Sequence, residues 1–209
     1  MPEAQRRLAD GLAALGLSHT LAPPLLAYLD LLAHWNRRFN LTAVRDPAQA
    51  VTRHLLDSLA ALPHLAGPRL LDLGSGAGLP GVPVALARLD WEVVLLERNG
   101  KKARFLTQVA LTLPLANVTV VQVDAGRYRP AAGFDTITAR AVAELSPLLR
   151  QARPLLAPGG QLVALKGRYP EAEMAALDSA DVSWVCHALA VPGLDAPRHA
   201  VVVRPAAGV

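Results

Sequence analysis

The sequence predicts an α/β protein: a mostly parallel sheet of seven strands flanked by helices, with an N-terminal helical extension. Three observations carry this prediction. From Arg69 onward, apolar runs of strand length alternate with helical stretches, the pattern of a sheet built from strand–helix–strand units. Those runs are continuously apolar rather than alternating in and out, which marks strands buried on both faces. Before residue 66, apolar residues recur only at helical spacing.

The elements are read in chain order. Leu8, Leu12 and Leu15 share one helix face that ends at Gly16. Leu21, Leu25, Leu29 and Leu32 continue a second helix from Thr20 to Trp35, with Pro23 and Pro24 in its first turn. Asp46-Pro47 is a cap followed by proline at the first helical position, opening a helix through Leu59. Strands are expected at Arg69–Leu73, Trp91–Leu96, Val118–Val123, Phe134–Ala139 and Gln161–Leu165, then near Val182–Leu189 and His199–Val203. Helices are expected at Leu79–Leu89, Asn99–Leu113, Leu145–Leu156 and near Pro170–Leu177, with Pro158-Gly159-Gly160 as a turn. The division is a helical segment over 1–65 and a sheet domain over 66–209, joined by Ala66-Gly67-Pro68 into one compact unit.

Composition narrows the function classes. With 52% apolar and 18% charged residues in 209, a full core is possible and disorder is not expected. The net charge of +4 permits a polyanionic partner without demanding one. Eighteen of the 21 cations are arginine, a bias that a GC-rich genome also produces. Cys186 is the only cysteine, so an intrachain disulfide and a multi-cysteine metal site are both impossible, and no metal is expected. The N-terminal stretch is charged throughout, unlike a secretory signal, and no run of apolar residues has membrane length. The expectation is a cytoplasmic protein.

The stretch "RLLDLGSGAGLPG", Arg69–Gly81, carries the first functional signal. The first strand runs into Gly74, Gly76 and Gly78, with Ser75 between. Glycines allow a tight turn and close backbone approach to a ligand. A helix starting near Leu79 would offer free N–H groups to an anion. In an open parallel sheet, ligands sit at the carboxyl ends of strands where strand order reverses. Glu97 ends the second strand, where a carboxylate can accept both hydroxyls of an adenosine ribose. Glycine turn and distal acid together describe a nucleoside-cofactor site. The dinucleotide fingerprint G-x-G-x-x-G would place glycine at Leu79. The form found, D-x-G-x-G-x-G from Asp72 to Gly78, resembles the first motif of Rossmann-like class I S-adenosylmethionine methyltransferases. Asp124, just past the third strand, stands where such enzymes place a group near the adenine.

Further blocks extend the likeness. "WNRRFNLTAVRDP" at 35–47, "RHLLDSLA" at 53–60, "LLDLGSGAGLPGVPVAL" at 70–86, "GKKARFL" at 100–106, "FDTITARAVAEL" at 134–145, "ALKG" at 164–167 and "RHAVVV" at 198–203 together resemble the bacterial 16S ribosomal RNA guanine-N7 methyltransferases, the glucose-inhibited division protein B family. The resemblance runs nearly end to end. It implies a cofactor, S-adenosylmethionine, held by Gly74, Gly76, Gly78, Leu79, Glu97, the loop at Ala125-Gly126, and Arg140. It implies 16S ribosomal RNA or the small ribosomal subunit as partner. A monomer is expected, with no membrane partner. One departure stands out: the family carries glutamate where this chain has Gly126, so adenine contacts would fall to backbone N–H groups or to Asp124.

Guanine N7 carries no proton, so its methylation needs orientation and charge placement rather than a general base. The segment after the fourth strand fits that need: it reads "ARAVAEL", not an Asn-Pro-Pro-Tyr-type motif suited to an exocyclic amine. Arg140 and Lys166 end the fourth and fifth strands and are the candidate catalytic residues. Arg140 could also hold the cofactor. Arg53, His54, Lys166, Arg198 and His199 are the candidate RNA contacts; for His54 a buried structural role, and for Arg198 and His199 simple edge solvation, fit the sequence equally. Arg37 and Arg38 sit among Trp35, Asn36, Phe39 and Asn40, a mixture that suits RNA, although Trp35 and Phe39 at helical spacing also suit a core. Lys101, Lys102 and Arg104 read as a solvated helix face. Three rival readings remain: a methyltransferase of the same fold acting on a small molecule or protein, a nicotinamide dehydrogenase, and a non-catalytic RNA-binding assembly factor. Leu79 and the lack of a hydride-relay pair count against the dehydrogenase. The intact turn and Glu97 count against the assembly factor.

Overall fold

A computed structural model describes residues 2–113, 115–140, 142–177 and 181–206. Ala141 of the fourth-strand motif and residues 207–209 of the expected sheet domain lie outside the described residues. The chain forms a seven-stranded sheet in the order β3-β2-β1-β4-β5-β7-β6. Its strands are β1 Arg69–Leu73, β2 Glu92–Leu96, β3 Val118–Val121, β4 Phe134–Arg140, β5 Leu156–Lys166, β6 Val182–Ala188 and β7 His199–Pro205. The first five run parallel; β7 is antiparallel to both β5 and β6. Strand order therefore reverses between β1 and β4, the place where an open α/β sheet forms its ligand crevice.

The helical extension comprises α1 (Pro2–Ala14), α2 (Ala22–Phe39) and a continuous helical run. That run is α3 (Pro47–Ala50), a π-helical stretch (Val51–Leu56) and α4 (Asp57–Leu59). Asp46 caps it as expected, its carboxylate accepting from Gln49 N–H at 2.7 Å. The π stretch carries Arg53 and His54, with Asp57 immediately after it; such wide turns are rare inside α-helices. Around the sheet lie α5 (Gly81–Ala87), α6 (Gly100–Thr112), α7 (Leu145–Ala152) and α8 (Glu171–Ala175).

Two large apolar clusters cover the two sheet faces. One joins α1, α2 and the α3–α4 run to α5, α6, β1 and β2, through Leu8, Tyr28, Leu56, Leu70, Val82 and Phe105. The other packs α7 and α8 against β4, β5 and β7, through Phe134, Ile137, Leu148, Leu162 and Val201. The helical extension is thus part of the main core.

Most boundaries differ from expectation by a residue or two, and α2 runs on to Phe39, four residues past Trp35; the differences nearest the site are these. α5 spans Gly81–Ala87 rather than 79–89, because Leu79 and Pro80 belong to the turn. β3 stops at Val121, two residues early. α7 ends at Ala152, and a 3-10 turn over Arg153–Leu155 completes the expected helix. β5 begins at Leu156, so the expected Pro158-Gly159-Gly160 turn lies inside a strand whose register against β4 shifts between Phe134 and Thr136. Gly160 makes this possible: a Cβ there would stand 2.6 Å from Phe134 O.

Candidate functional site

The carboxyl ends of β1, β2, β4 and β5 open onto two adjoining cavities. The first, of about 700 Å³, is lined by the glycine turn, the ends of β1 and β2, and the loop after β3. Gly74, Gly76 and Gly78 all have positive φ, at 71°, 59° and 89°. A side chain at any of them would be strained, so the turn is encoded by glycine itself. Gly74 and Ser75 donate their N–H groups to Leu96 O, tying the turn to β2. Tyr28 from α2 donates its hydroxyl to Ala77 O at 2.6 Å, bracing the turn from the helical extension. Burial pushes the Tyr28 hydroxyl's pKa well up, so it stays a donor.

Two carboxylates organise this turn. Asp72 is buried beneath it; its carboxylate accepts from Gly81 N–H at 3.0 Å and approaches the Thr138 hydroxyl at 3.3 Å. Burial raises its pKa to about 6, against the lowering effects of the Gly81 N–H and Arg140. Glu97 accepts from Gly76 N–H through Oε2 at 2.9 Å and from Asn99 N–H through Oε1 at 2.7 Å. Each oxygen keeps a second acceptor site, and Glu97 lines the cavity. That is the arrangement a ribose with two hydroxyls requires, so these residues fit an adenosine cofactor.

Gly74, Ser75, Gly76, Leu79, Glu97, Asp124, Ala125, Gly126 and Arg140 line this cavity together. Gly78 is not among its lining residues. Its N–H bonds to Ser75 O, and a Cβ there would meet Val82 and Leu106, so it serves close packing instead. The free helix N–H groups expected near Leu79 are likewise committed to protein. Gly81 N–H goes to Asp72, and Val82 N–H goes to Gly78 O. At the Gly126 departure, Asp124 caps the Ala125–Arg127 turn, accepting Gly126 N–H at 3.0 Å. The Gly126 N–H is therefore spent, and the cavity keeps the Asp124 carboxylate, 3.8 Å from Arg98.

The second cavity, of about 420 Å³, lies over the ends of β4 and β5. Arg53, His54, Arg140, Lys166, Arg198 and His199 all line it, and Arg140 lines both cavities. Asp57 holds its centre, with only 7% of its side chain exposed. Its Oδ2 accepts from Arg140 Nη1 at 3.2 Å and its Oδ1 from Arg198 Nε at 2.9 Å. Arg140 also donates to Arg53 O at 3.1 Å. Lys166 lines the second cavity and not the first, and its ammonium donates to Glu173 Oε2 at 2.7 Å and to Ala143 O, on the first cavity's wall, at 3.0 Å. His199 Nδ1 lies 3.3 Å from Gly167 O.

His54 is buried and shares a 2.8 Å hydrogen bond with the Thr42 hydroxyl. Burial, reinforced by the nearby Arg140 cation, pushes its pKa down to about 4, so it is neutral at neutral pH. Thr42 is in turn gripped by Asn36, which donates to Thr42 O and accepts from Thr42 N–H, both at 2.9 Å. Leu41 and Thr42 form a wall of the first cavity.

Sequence reasoning missed Asp57, Thr42 and Tyr28. Asp57 carried a readable signal: a carboxylate inside the apolar run "HLLDSLA" demands a buried partner. Nothing local marks Tyr28, whose partner is 49 residues away.

A family model described as rRNA small subunit methyltransferase G matches residues 22–202. A protein of Xanthomonas campestris named "Ribosomal RNA small subunit methyltransferase G" is 48% identical over 203 residues, covering 97% of this chain and 96% of its own. A protein of that name from Nitrosospira multiformis is 48% identical over 207 residues, covering 95% and 96%. Among solved structures, a predicted O-methyltransferase of Agrobacterium tumefaciens superposes with a TM-score of 0.54 at 26% identity, covering 73% of this chain and 79% of that one. An S-adenosylmethionine-dependent methyltransferase of Aquifex aeolicus gives 0.58 at 19% identity, covering 76% and 93%, a likeness of fold.

Proposed function

Because the chain belongs to the rRNA small subunit methyltransferase G family, we propose that it methylates N7 of a specific guanine in 16S ribosomal RNA. The cofactor is S-adenosylmethionine. When bound, it supplies an electrophilic methyl group on a sulfonium sulfur, which the N7 lone pair takes in one in-line displacement. The observation that carries the reading is Arg140, which lines both the first cavity and the basic cavity.

The chain's own residues have three tasks. Gly74, Gly76, Glu97 and Asp124 hold the nucleoside part of the cofactor. Arg53, Lys166, Arg198 and His199 receive RNA phosphates, a sequence-independent attraction that weakens with salt. Arg140, fixed by Asp57 and Arg53 O, orients the purine at the boundary between cavities. Transfer moves one positive charge from sulfur to the purine ring. Asp57, between Arg140 and Arg198, offsets the repulsion that two bare guanidinium groups would add at that point. Position, not proton transfer, then supplies the rate enhancement. An unpaired guanine suits such a cavity, because it enters without the cost of breaking a base pair.

One chain carries both cavities, which supports action as a monomer. The shared core supports residues 1–65 and 66–209 as one folding unit. Among the described residues no helix is long and apolar enough to cross a membrane, and a ribosomal substrate supports work in the cytoplasm. The test is transfer of labelled methyl to small subunits, and to bare small-subunit RNA, from cells lacking this protein. Label in one guanine, with strand cleavage chemistry specific to N7-methylguanosine, is the expected result. Cofactor binding with no label in either substrate would move the acceptor to a small molecule or protein.

A further inference from the structure

A third cavity, of about 320 Å³, lies between α2 and the loop that leads into α3. Its walls are apolar, from Leu29, Leu32, Ala33 and Val44. Arg37 and Arg45 stand at it as exposed cations, and Asp30 as an exposed carboxylate. Val44 and His54 line both this cavity and the basic acceptor cavity, so the two adjoin through a shared wall. Among the described residues, Nδ1 of His54 is buried without a hydrogen-bond partner, and the Asn36 amide keeps unused donor and acceptor capacity after gripping Thr42.

Resting on the reading above, we propose that this cavity is a second nucleotide subsite, which takes one unpaired nucleotide of the same RNA beside the methylated guanine. Size, chemistry and position agree. The volume lies within the range of small-ligand pockets, mostly apolar with a few polar groups. Apolar walls desolvate the faces of a base, Arg37 and Arg45 meet its phosphates, and Asp30 can accept from an exocyclic amine. The shared wall lets one strand occupy both cavities, so the subsite reads sequence or loop shape next to the target. This gives the Arg37 and Arg38 region a use that the core role of Trp35 leaves open: Trp35 packs on Phe105, centroids 5.7 Å apart, while Arg37 faces outward.

The test fills the cavity from its exposed side. Ala33→Trp is expected to raise KM for small subunits about tenfold, the loss of roughly one base contact. The turnover number and the calorimetric Kd for S-adenosylmethionine should stay unchanged. The double variant Arg37→Ala, Arg45→Ala should raise KM similarly. If Ala33→Trp lowers the melting temperature, Ala33→Leu takes its place. Unchanged KM in the filled variant overturns the subsite, and so does a rise confined to the arginine variant, which would be charge attraction alone. Both results leave methyl transfer by the unsubstituted protein standing. Absence of transfer by the unsubstituted protein would instead strike the function proposed above.

Discussion

The cofactor cavity and the basic cavity share Arg140 but are built in opposite ways. The first is a main-chain site: positive-φ glycines, strand-to-turn hydrogen bonds and two buried carboxylates fix its shape. The second is a side-chain site, in which long cations converge from the α3–α4 run, β4, β5 and the start of β7. Its order depends on Asp57, whose partner Arg198 is 141 residues distant. A main-chain site is stiff and tolerates little substitution. A side-chain site is adjustable but collapses when its organising charge is removed.

That contrast can be broken first at the turn. Gly76→Val puts a β-branched residue at a φ of 59°, which such residues scarcely adopt. Calorimetric cofactor binding should weaken by about 100-fold or more, the strain being of order 1–3 kcal/mol before any clash with ligand. Retained binding would show that the turn is not the cofactor's cradle.

Asp57→Ala tests the other half. Arg140 and Arg198 then lose their shared partner in a half-buried setting, a loss that typically costs about 2–5 kcal/mol at such pairs. Methyl transfer to small subunits should fall by about 100-fold, while cofactor Kd changes by less than about threefold. Equal losses in both would merge the two cavities into one functional unit.

A finer probe is Tyr28→Phe, which keeps the ring and removes the hydroxyl donated to Ala77 O. A single neutral hydrogen bond contributes roughly 0.5–1.5 kcal/mol, so cofactor Kd should rise by about two- to tenfold with turnover unchanged. No change would mean that the turn holds its shape without the helical extension.

The smallest expected effect is in stability against pH. His54 has a folded pKa near 4, below its ordinary 6.5. Its contribution is therefore complete above pH 6.5 and is lost as pH falls through 4, where the folded state must accept a buried cation beside Arg140 and Arg53. Asp72 works the other way: its pKa of about 6 lies above the ordinary 3.8, so its contribution is complete below that value and is lost as pH rises through 6. Comparing His54→Gln with the unsubstituted chain isolates the histidine. The variant should lose less stability between pH 6.5 and 4, by about 2–4 °C in melting temperature for each kcal/mol that the histidine's titration contributes. Parallel curves would place the histidine's titration elsewhere.

The same contrast explains how much of the molecule is legible in its sequence. β1 begins and ends where its apolar run does, and the Asp46 cap is readable from two adjacent residues, because both depend on local chain alone. The glycine turn and Glu97 are legible for the same reason. The roles expected of Gly78 and of the α5 N-terminus are not, since packing against Leu106 and capture by Asp72 depend on tertiary neighbours. At the start of β5 the sequence misleads: Pro158-Gly159-Gly160 carries turn chemistry, whereas a close approach to Phe134 O turns it into a bulge. For the basic cavity, single residues are visible but the meeting of Arg140 and Arg198 on Asp57 is not. Spacing along the chain says nothing about which distant cations meet at one carboxylate.

In the proposed reaction, Arg140 presents the acceptor at the edge of the cofactor cavity. The direct measurement is Arg140→Ala, read as cofactor Kd by calorimetry and as kcat/KM for methyl transfer to small subunits. If Arg140 orients the purine, transfer falls by about 100-fold or more, with cofactor Kd within about threefold of the unsubstituted chain. Equal losses in the two readouts would contradict that role and assign Arg140 to the cofactor alone.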